Sequence, residues 1–255
     1  MRRRLRGTRW AEDFGNRDWG YGVERGWLEE MVGYWAESFD WRAQEAGMNR
    51  LPHYRVTIDG IPLHFMHLKG RGPDPRPLVL THGWPWTFQD WHEVACRLAD
   101  PAAYGGRAED AFDVVVPSLP GYTLSFAEHQ PRKGLAEIGA IFDTLMTERL
   151  GYARYAAQGG DWGSFITAWL GANRAPHLAG IHLNMLPLKR DPAAFADNPS
   201  AAEQQYVRAL QRFMKEEAGY QAIQGTRPQT LAFALTDSPV GLAAWFAEKY
   251  RTWTD

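Results

Sequence analysis

Cysteine is almost absent from this chain of 255 residues, which contains Cys96 and no other. A single cysteine excludes an intrachain disulfide, and no set of cysteine and histidine residues has the spacing of a zinc site. We therefore expect no structural metal. The composition fits a reducing compartment, and we expect the protein in the cytoplasm.

Positive charge is not in excess, because the chain has 28 lysine and arginine residues and 30 aspartate and glutamate residues. The net charge of −2 gives no reason to expect a nucleic acid or an anionic membrane surface as a partner. The arginines at positions 2–4 resemble the charged start of an export signal, but Trp10-Ala11-Glu12-Asp13 follows where an apolar segment would have to be. We therefore expect neither an export signal nor a membrane span. A small molecule is the expected partner.

The length and composition indicate one large α/β domain with a modest insert. Hydrophobic residues make up 45% of the chain and charged residues 23%, as in an ordinary globular protein. A chain of this size buries a sizeable core. We divide it into an N-terminal lead-in over residues 1–50, a core over residues 51–188 and a helical lid over residues 189–255.

Short apolar segments predict a sheet that begins with a hairpin. Residues 55–58 and 61–68 flank Asp59-Gly60, which is a strong signal for a tight hairpin turn. The β-branched runs at residues 78–80 and 112–116 have the character of buried parallel strands. We therefore expect two antiparallel strands followed by parallel ones.

Helical patterns alternate with these strands. Apolar residues recur at helical spacing in residues 28–45 and 135–150, and Gly151 follows at the position of a left-handed helix cap. A further strand is expected over residues 178–186, after which strand signals stop. Alternating strands and helices indicate an α/β fold with a mostly parallel sheet and helices on both faces.

Residues 159–163 carry the strongest chemical signal, because their order Gly-Gly-Asp-Trp-Gly fits a nucleophile elbow with Asp161 at its centre. Such a turn holds its central residue under backbone strain and brings strand and helix close together. Small residues such as Gly159 and Gly163 are needed beside it. A strand pattern precedes the turn and a helix pattern follows it, so we predict that Asp161 is a nucleophile.

His82-Gly83-Trp84-Pro85 follows a predicted strand directly, at the place where proteins with such an elbow supply one oxyanion-hole donor. The backbone N–H groups of Trp84 and Trp162 are the expected donors toward an ester at the nucleophile. We assign His82 a structural role rather than proton transfer, because nothing in the sequence places it opposite the aspartate.

These motifs together resemble the microsomal-type epoxide hydrolases and their bacterial and fungal relatives, over nearly the whole chain. No single motif is specific to this family, but the occurrence of all of them in this order is. Further segments that carry the resemblance are Thr8-Arg9-Trp10, Trp19-Gly20-Tyr21-Gly22, Leu51-Pro52-His53-Tyr54, Pro117-Ser118-Leu119-Pro120-Gly121-Tyr122, Gly219-Tyr220, Thr226-Arg227-Pro228 and Asp237-Ser238-Pro239-Val240-Gly241-Leu242.

The resemblance implies an α/β-hydrolase fold and a two-step reaction in xenobiotic detoxification. An aspartate, matched by Asp161, opens the epoxide to a covalent ester, and a water activated by a histidine hydrolyses that ester. Two lid tyrosines donate hydrogen bonds to the epoxide oxygen, and Tyr220 matches the first of them. The substrates would be an epoxide and water, and no cofactor is implied.

The resemblance also implies that the chain is truncated, because it ends at Asp255 within the lid. The second tyrosine, the histidine, the acid that orients it and the last strands of the sheet have no counterpart. We therefore expect association with another copy or with a second chain that supplies the C-terminal part.

Two other functions remain open from the sequence. A haloalkane or haloacid dehalogenase uses the same aspartate elbow, although Tyr220 favours an epoxide oxygen over a halide. A catalytically inactive truncated or binding protein is the second alternative. A serine esterase is poorly supported, because Asp161 occupies the elbow and Ser164 lies three residues later.

Overall fold

The structure is a computed structural model, which describes residues 1–186 and 199–254. The chain divides into two compact units. One consists of Arg42–Leu188, and the other of Met1–Trp41 together with Lys189–Asp255. The N-terminal segment therefore belongs to the same unit as the C-terminal helices.

A six-stranded sheet forms the centre of the first unit, with the strand order β1-β2-β4-β3-β5-β6. The pairs β1–β2 and β2–β4 are antiparallel, and the pairs β3–β4, β3–β5 and β5–β6 are parallel. This confirms the predicted α/β class. The strands are β1 (His53–Ile58), β2 (Ile61–Leu68), β3 (Arg76–Thr81), β4 (Phe112–Pro117), β5 (Tyr155–Gly159) and β6 (Leu178–Leu183).

The predicted hairpin between β1 and β2 is confirmed. Asp59 has a φ of 48° and Gly60 a φ of 76°, so both turn residues lie in the left-handed region that a two-residue hairpin requires. Ile58 pairs with Ile61 across the turn. The register places the bulky residues of β2 in the core, because side chains alternate between the two faces of the sheet.

Helices pack on both faces of the sheet. Val79 and Val115 belong to one buried cluster with residues of the helices α5 and α6, whereas Leu78 and Leu80 belong to another with residues of α4. Alternate residues of one strand therefore pack into two different cores, one on each face of the sheet. The helices of this unit are α3 (Trp41–Met48), α4 (His92–Ala99), α5 (Leu135–Thr144) and α6 (Trp162–Asn173).

The second unit is helical in its described residues. Leu5, Leu28, Val32 and Ala36 form a buried cluster with Val240, so the N-terminal helices and the last helix share one core. Its helices are α1 (Arg2–Arg6), α2 (Arg25–Glu37), α7 (Ala201–Glu216), α8 (Gly219–Thr226), α9 (Pro228–Asp237) and α10 (Pro239–Trp253).

No single helix within the described residues is long and apolar enough to cross a membrane. The helices α9 and α10 reach the required length and composition only together, and a bend of 116° separates them.

Two predicted elements have different bounds in the structure. The helix expected over residues 28–45 is broken after Glu37, where Ser38 and Phe39 both donate their N–H to the Tyr34 carbonyl and end the helix. The strand expected over residues 178–186 ends at Leu183, and its pairing with β5 ends there too. The helix expected over residues 135–150 continues beyond α5 as a wider π-helical turn, and Gly151 follows with the expected left-handed φ of 76°.

A chain of hydrogen bonds ties β1 and β2 to the end of β4. His53 donates through Nε2 to the Met48 carbonyl at 3.1 Å, so its Nδ1 accepts from His64 Nε2 at 2.9 Å. His64 Nδ1 then accepts from the Ser118 hydroxyl at 2.8 Å. Burial, with smaller contributions from His53 and Arg55, lowers the pKa of His64 to about 4.

We predict that protonation of His64 destabilises the fold in acid. The folded pKa of about 4 lies below the value of 6.5 expected for the unfolded chain, so the unfolded state binds more protons between these two pH values. Stability should therefore fall by about 3 kcal/mol as the pH drops through this window. Urea unfolding of the wild type and His64→Gln at both pH values measures it. Equal losses in the two proteins would contradict the assignment to His64.

Candidate active site

Asp161 lies on the turn between β5 and α6, as the sequence predicts. Its φ of 50° and ψ of −123° are a rare conformation for a residue with a side chain. Strain of this kind costs on the order of 1–3 kcal/mol and persists only where the surrounding structure enforces it. The geometry is that of a nucleophile elbow, which lifts the side chain above the end of the sheet.

The glycines around Asp161 are required by close backbone approach. A Cβ atom on Gly159 would overlap the carbonyl of Gly163, and one on Gly163 would overlap the carbonyl of Thr81 at the end of β3. A Cβ atom on Gly160 would overlap the side chain of Asn184. The helix α6 can therefore start this close to the strands only because these positions lack side chains.

The loop after β3 closes over the aspartate. The backbone N–H of Trp84 donates to Asp161 Oδ1 at 2.8 Å, and the backbone N–H of Trp162 also lowers the pKa of this carboxyl group. A Cβ atom on Gly83 would overlap Asp161 Oδ1. The peptide bond between Trp84 and Pro85 is cis. The two tryptophan N–H groups that the sequence proposed as donors thus meet at the one carboxylate.

The electrostatics of Asp161 combine two opposing effects. Burial raises the pKa of its carboxyl group, while the hydrogen bonds from Trp84 and Trp162 lower it and only partly offset the burial. The carboxylate is therefore poorly hydrated but held by two oriented dipoles. A poorly hydrated anion in a fixed orientation is suited to attack on carbon.

His82 is held inside the loop by hydrogen bonds on both sides of its ring. Nδ1 donates to the Gly83 carbonyl at 3.0 Å, and Nε2 accepts from the Leu119 N–H at 3.0 Å. Burial lowers the pKa of His82, which favours this neutral form. Both ring nitrogens are engaged, so the geometry supports a structural role for this histidine.

Tyr122 is a site residue for which the sequence analysis proposed no role. Its ring packs edge-on against His82, with ring centroids 5.2 Å apart. Burial raises the pKa of its hydroxyl group, and the negative charge of Asp161 raises it further. The segment Gly121-Tyr122 after β4 was a signal in the sequence, but nothing in the pattern indicated that this ring packs against His82.

Tyr220 lies in the other compact unit, at the second position of α8. Its ring centroid is 5.2 Å from that of Trp253, and Lys249 Nζ lies 5.4 Å from its centroid. Its hydroxyl oxygen accepts a hydrogen bond from the Gln221 side-chain amide at 2.9 Å. The other residues singled out in the sequence all belong to the unit of the sheet.

Metal ligands do not cluster in the part of the chain that the structure describes. No group of three histidine, cysteine, aspartate or glutamate residues there could hold an ion.

A mostly parallel sheet with helices on both faces and a strained Asp turn after β5 is the architecture of the α/β hydrolases. The family model for the alpha/beta hydrolase fold matches residues 76–227, and the model for the epoxide hydrolase N terminus matches residues 1–91. The chain therefore belongs to the α/β-hydrolase family, and its N-terminal segment is of the epoxide hydrolase type.

Individual relatives agree with this assignment. A protein of Stigmatella aurantiaca provisionally named epoxide hydrolase is 43% identical over 100% of this chain and 58% of its own. Epoxide hydrolase 1 of Sus scrofa is 36% identical over 92% of this chain and 55% of its own. The solved Aspergillus niger epoxide hydrolase has a TM-score of 0.85 at 32% identity, covering 98% of this chain and 65% of that one. The chain thus spans little more than half the length of these curated relatives.

Proposed function

We propose that Asp161 is the nucleophile of an epoxide hydrolase. The observation that carries this proposal is the position of its carboxylate, on a strained turn and 2.8 Å from the Trp84 N–H. Because Trp84 fixes Oδ1, Oδ2 is the oxygen that attacks an epoxide carbon. The new C–O bond forms as the ring C–O bond breaks, and the ring oxygen leaves as an alkoxide.

The alkoxide needs a proton donor, and we propose Tyr220 for this role. A phenol that donates to the epoxide oxygen in the ground state donates more strongly as negative charge develops there. The hydrogen bond from Gln221 to the phenol oxygen supports the partial negative charge that this oxygen gains during donation.

Water then hydrolyses the ester, releasing a vicinal diol and restoring the carboxylate, and the proton that the water loses restores the Tyr220 phenol. Attack on the ester carbonyl creates an oxyanion, and the N–H groups of Trp84 and Trp162 stabilise it. This second step needs a general base. His82 does not suit that role, because both its ring nitrogens are engaged. No hydrogen bond joins any of the eight histidines to Asp161 within the described residues.

We predict that the 255-residue polypeptide forms one covalent adduct per molecule with a reactive epoxide and releases little diol. Ester formation requires only the oriented carboxylate and a donor, whereas hydrolysis requires a base. Intact-protein mass spectrometry after incubation with styrene oxide, followed by peptide mapping, measures the adduct. Asp161→Ala is the control. Release of many diol equivalents per chain would show that these residues contain a base, and an adduct on Asp161→Ala would identify another nucleophile.

Three further features stay predictions. Detoxification of foreign epoxides rests on the family alone, and a cytoplasmic location rests on the single cysteine. Association with a second chain is supported by β6, which is an edge strand with Ile181 44% exposed. Beside β6 lies an apolar cleft of about 450 Å³, lined in part by Leu78, Leu98 and Ile181. This exposed apolar surface also supports association with a second chain.

A further inference from the structure

Lys249 is a buried lysine in the unit that contains Tyr220. Its side chain is 6% exposed, although α10, on which it lies, has exposed positions nearby. Lysine is almost never buried to this degree without a specific partner, because an ammonium group loses its hydration. Packing alone therefore does not account for a lysine at position 249.

The ammonium group of Lys249 contacts two carboxylates and one backbone carbonyl. Nζ lies 2.9 Å from the Glu248 carboxylate, and 3.4 Å from both the Glu217 carboxylate and the Glu217 carbonyl. It also lies 5.4 Å from the ring centroid of Tyr220 and 5.5 Å from that of Trp253. One buried cation thus joins the end of α7, the ring of Tyr220 and α10.

The carbonyl of Glu217 belongs to the short connection from which Tyr220 follows. α7 ends at Glu216 and α8 begins at Gly219, so Tyr220 is three residues from the carbonyl that Lys249 holds. Ala218 between them is buried, which leaves the connection little freedom. The lysine therefore fixes both the backbone that leads into Tyr220 and one face of its ring.

Fold stability alone gives no reason for this lysine. Replacing a buried ion pair with apolar side chains of similar volume is often neutral or stabilising, because the desolvation of the charges offsets their attraction. Methionine would fill the same space between two aromatic rings, although on its own it would leave the carboxylates of Glu217 and Glu248 without their cation, which lowers stability. A charged residue retained in such a place is better explained by a geometry that it imposes on a neighbour.

We propose that Lys249 is a positioning residue for Tyr220 and sets the place of its hydroxyl group during epoxide opening. This inference rests on the role of Tyr220 in the proposed function. A displacement of a donor by about 1 Å lowers a rate by up to about 100-fold. The lysine needs no contact with substrate, because it acts through the ring and the backbone of the tyrosine.

The test is a double-mutant cycle of Lys249→Met and Tyr220→Phe in the 255-residue chain, with the rate of ester formation on styrene oxide as the readout. We expect Lys249→Met to lower this rate by roughly 10- to 100-fold when Tyr220 is present. In the Tyr220→Phe background, which has no hydroxyl group to position, we expect a change of less than about twofold. The rate of ester hydrolysis should stay the same in every variant.

Three controls make the outcomes distinct. Lys215→Met removes an exposed lysine of α7 and should change nothing. Lys249→Arg keeps the cation and should restore most of the rate. Lys249→Gln, which also lacks the charge, takes the place of Lys249→Met in the cycle if Lys249→Met does not fold. Equal losses in both backgrounds would mean a structural role and overturn the inference alone. A wild type that forms no ester at Asp161 would overturn the proposed function together with it.

Discussion

Replacing Asp161 with asparagine should lower the rate of ester formation by roughly 10⁴-fold or more while leaving the fold intact. The amide oxygen of asparagine can still accept the hydrogen bonds that Trp84 and Trp162 donate to the carboxylate. What is lost is the second carboxylate oxygen and its negative charge. An amide nitrogen in that place is a poor nucleophile, so the loss falls on the chemical step and not on binding.

The same variant should be slightly more stable than the wild type. Burial raises the pKa of Asp161, which means that the surroundings disfavour its charge. Asparagine carries no charge to desolvate, and it tolerates the positive φ of 50° better than most residues with a side chain. We expect a gain of about 1 kcal/mol in the free energy of unfolding.

Two measurements check this pair of effects. Single-turnover kinetics with styrene oxide give the rate of ester formation, and urea unfolding gives the stability. A rise in the free energy of unfolding together with a fall in the rate of ester formation is expected of a site whose reactivity lowers the stability of the fold. If Asp161→Asn lost stability and activity together, the aspartate would be part of the structural framework and the catalytic assignment would fail.

Local patterns predicted the parts of the fold whose signals are contiguous in the chain. The hairpin depends on Asp59-Gly60 between two apolar segments, and the strand, turn and helix around Asp161 follow each other directly. The turn residues can adopt the required backbone conformations, and the flanking periodicity fixes which elements they join. Nothing from distant parts of the chain is needed to recognise either feature.

Element ends were less predictable, because they depend on contacts that a periodicity does not contain. The helical pattern of residues 28–45 runs through Ser38 and Phe39 without a break. In the structure Phe39 folds back, and its ring lies 6.4 Å from that of Tyr34. Apolar residues likewise continue beyond β6 at Met185 and Leu186, where the pairing with β5 has already ended.

Residues that act on the site through tertiary contacts carry no local signal. The ring of Tyr122 packs edge-on against His82, although the two residues lie 40 positions apart in the chain. Lys249 has the sequence context of an ordinary helical lysine, and its burial follows from the packing of α10 on the junction of α7 and α8. In both cases the position is set by several elements together, so one sequence cannot reveal it.

Replacing Gly83 with alanine should reduce ester formation by roughly 10²- to 10³-fold. A Cβ atom at this position would overlap Oδ1, Cβ and Cγ of Asp161, and a strained elbow gives that side chain little room to retreat. Either the aspartate turns away or the loop from His82 to Pro85 moves outward. Both responses break the hydrogen bond from the Trp84 N–H to Oδ1.

The cost in stability should be smaller than the cost in activity. Overpacking of this kind destabilises by about 1–3 kcal/mol, because only a loop and one side chain have to move and the sheet stays intact. Gly180→Ala is the matched control, since Gly180 lies in β6 with open space at its Cβ position and introduces the same methyl group. Gly180→Ala should change neither the free energy of unfolding nor the activation free energy of ester formation by more than about 0.5 kcal/mol.

Single-turnover kinetics of Gly83→Ala, Gly180→Ala and the wild type separate these effects. The rate of ester formation should fall only in Gly83→Ala, and a saturating epoxide concentration should not restore it, because the damage lies in the orientation of the nucleophile and not in binding. A Gly83→Ala protein with the wild-type rate would mean that the loop after β3 relaxes without disturbing Asp161. The hydrogen bond from Trp84 would then have no part in positioning the carboxylate for attack.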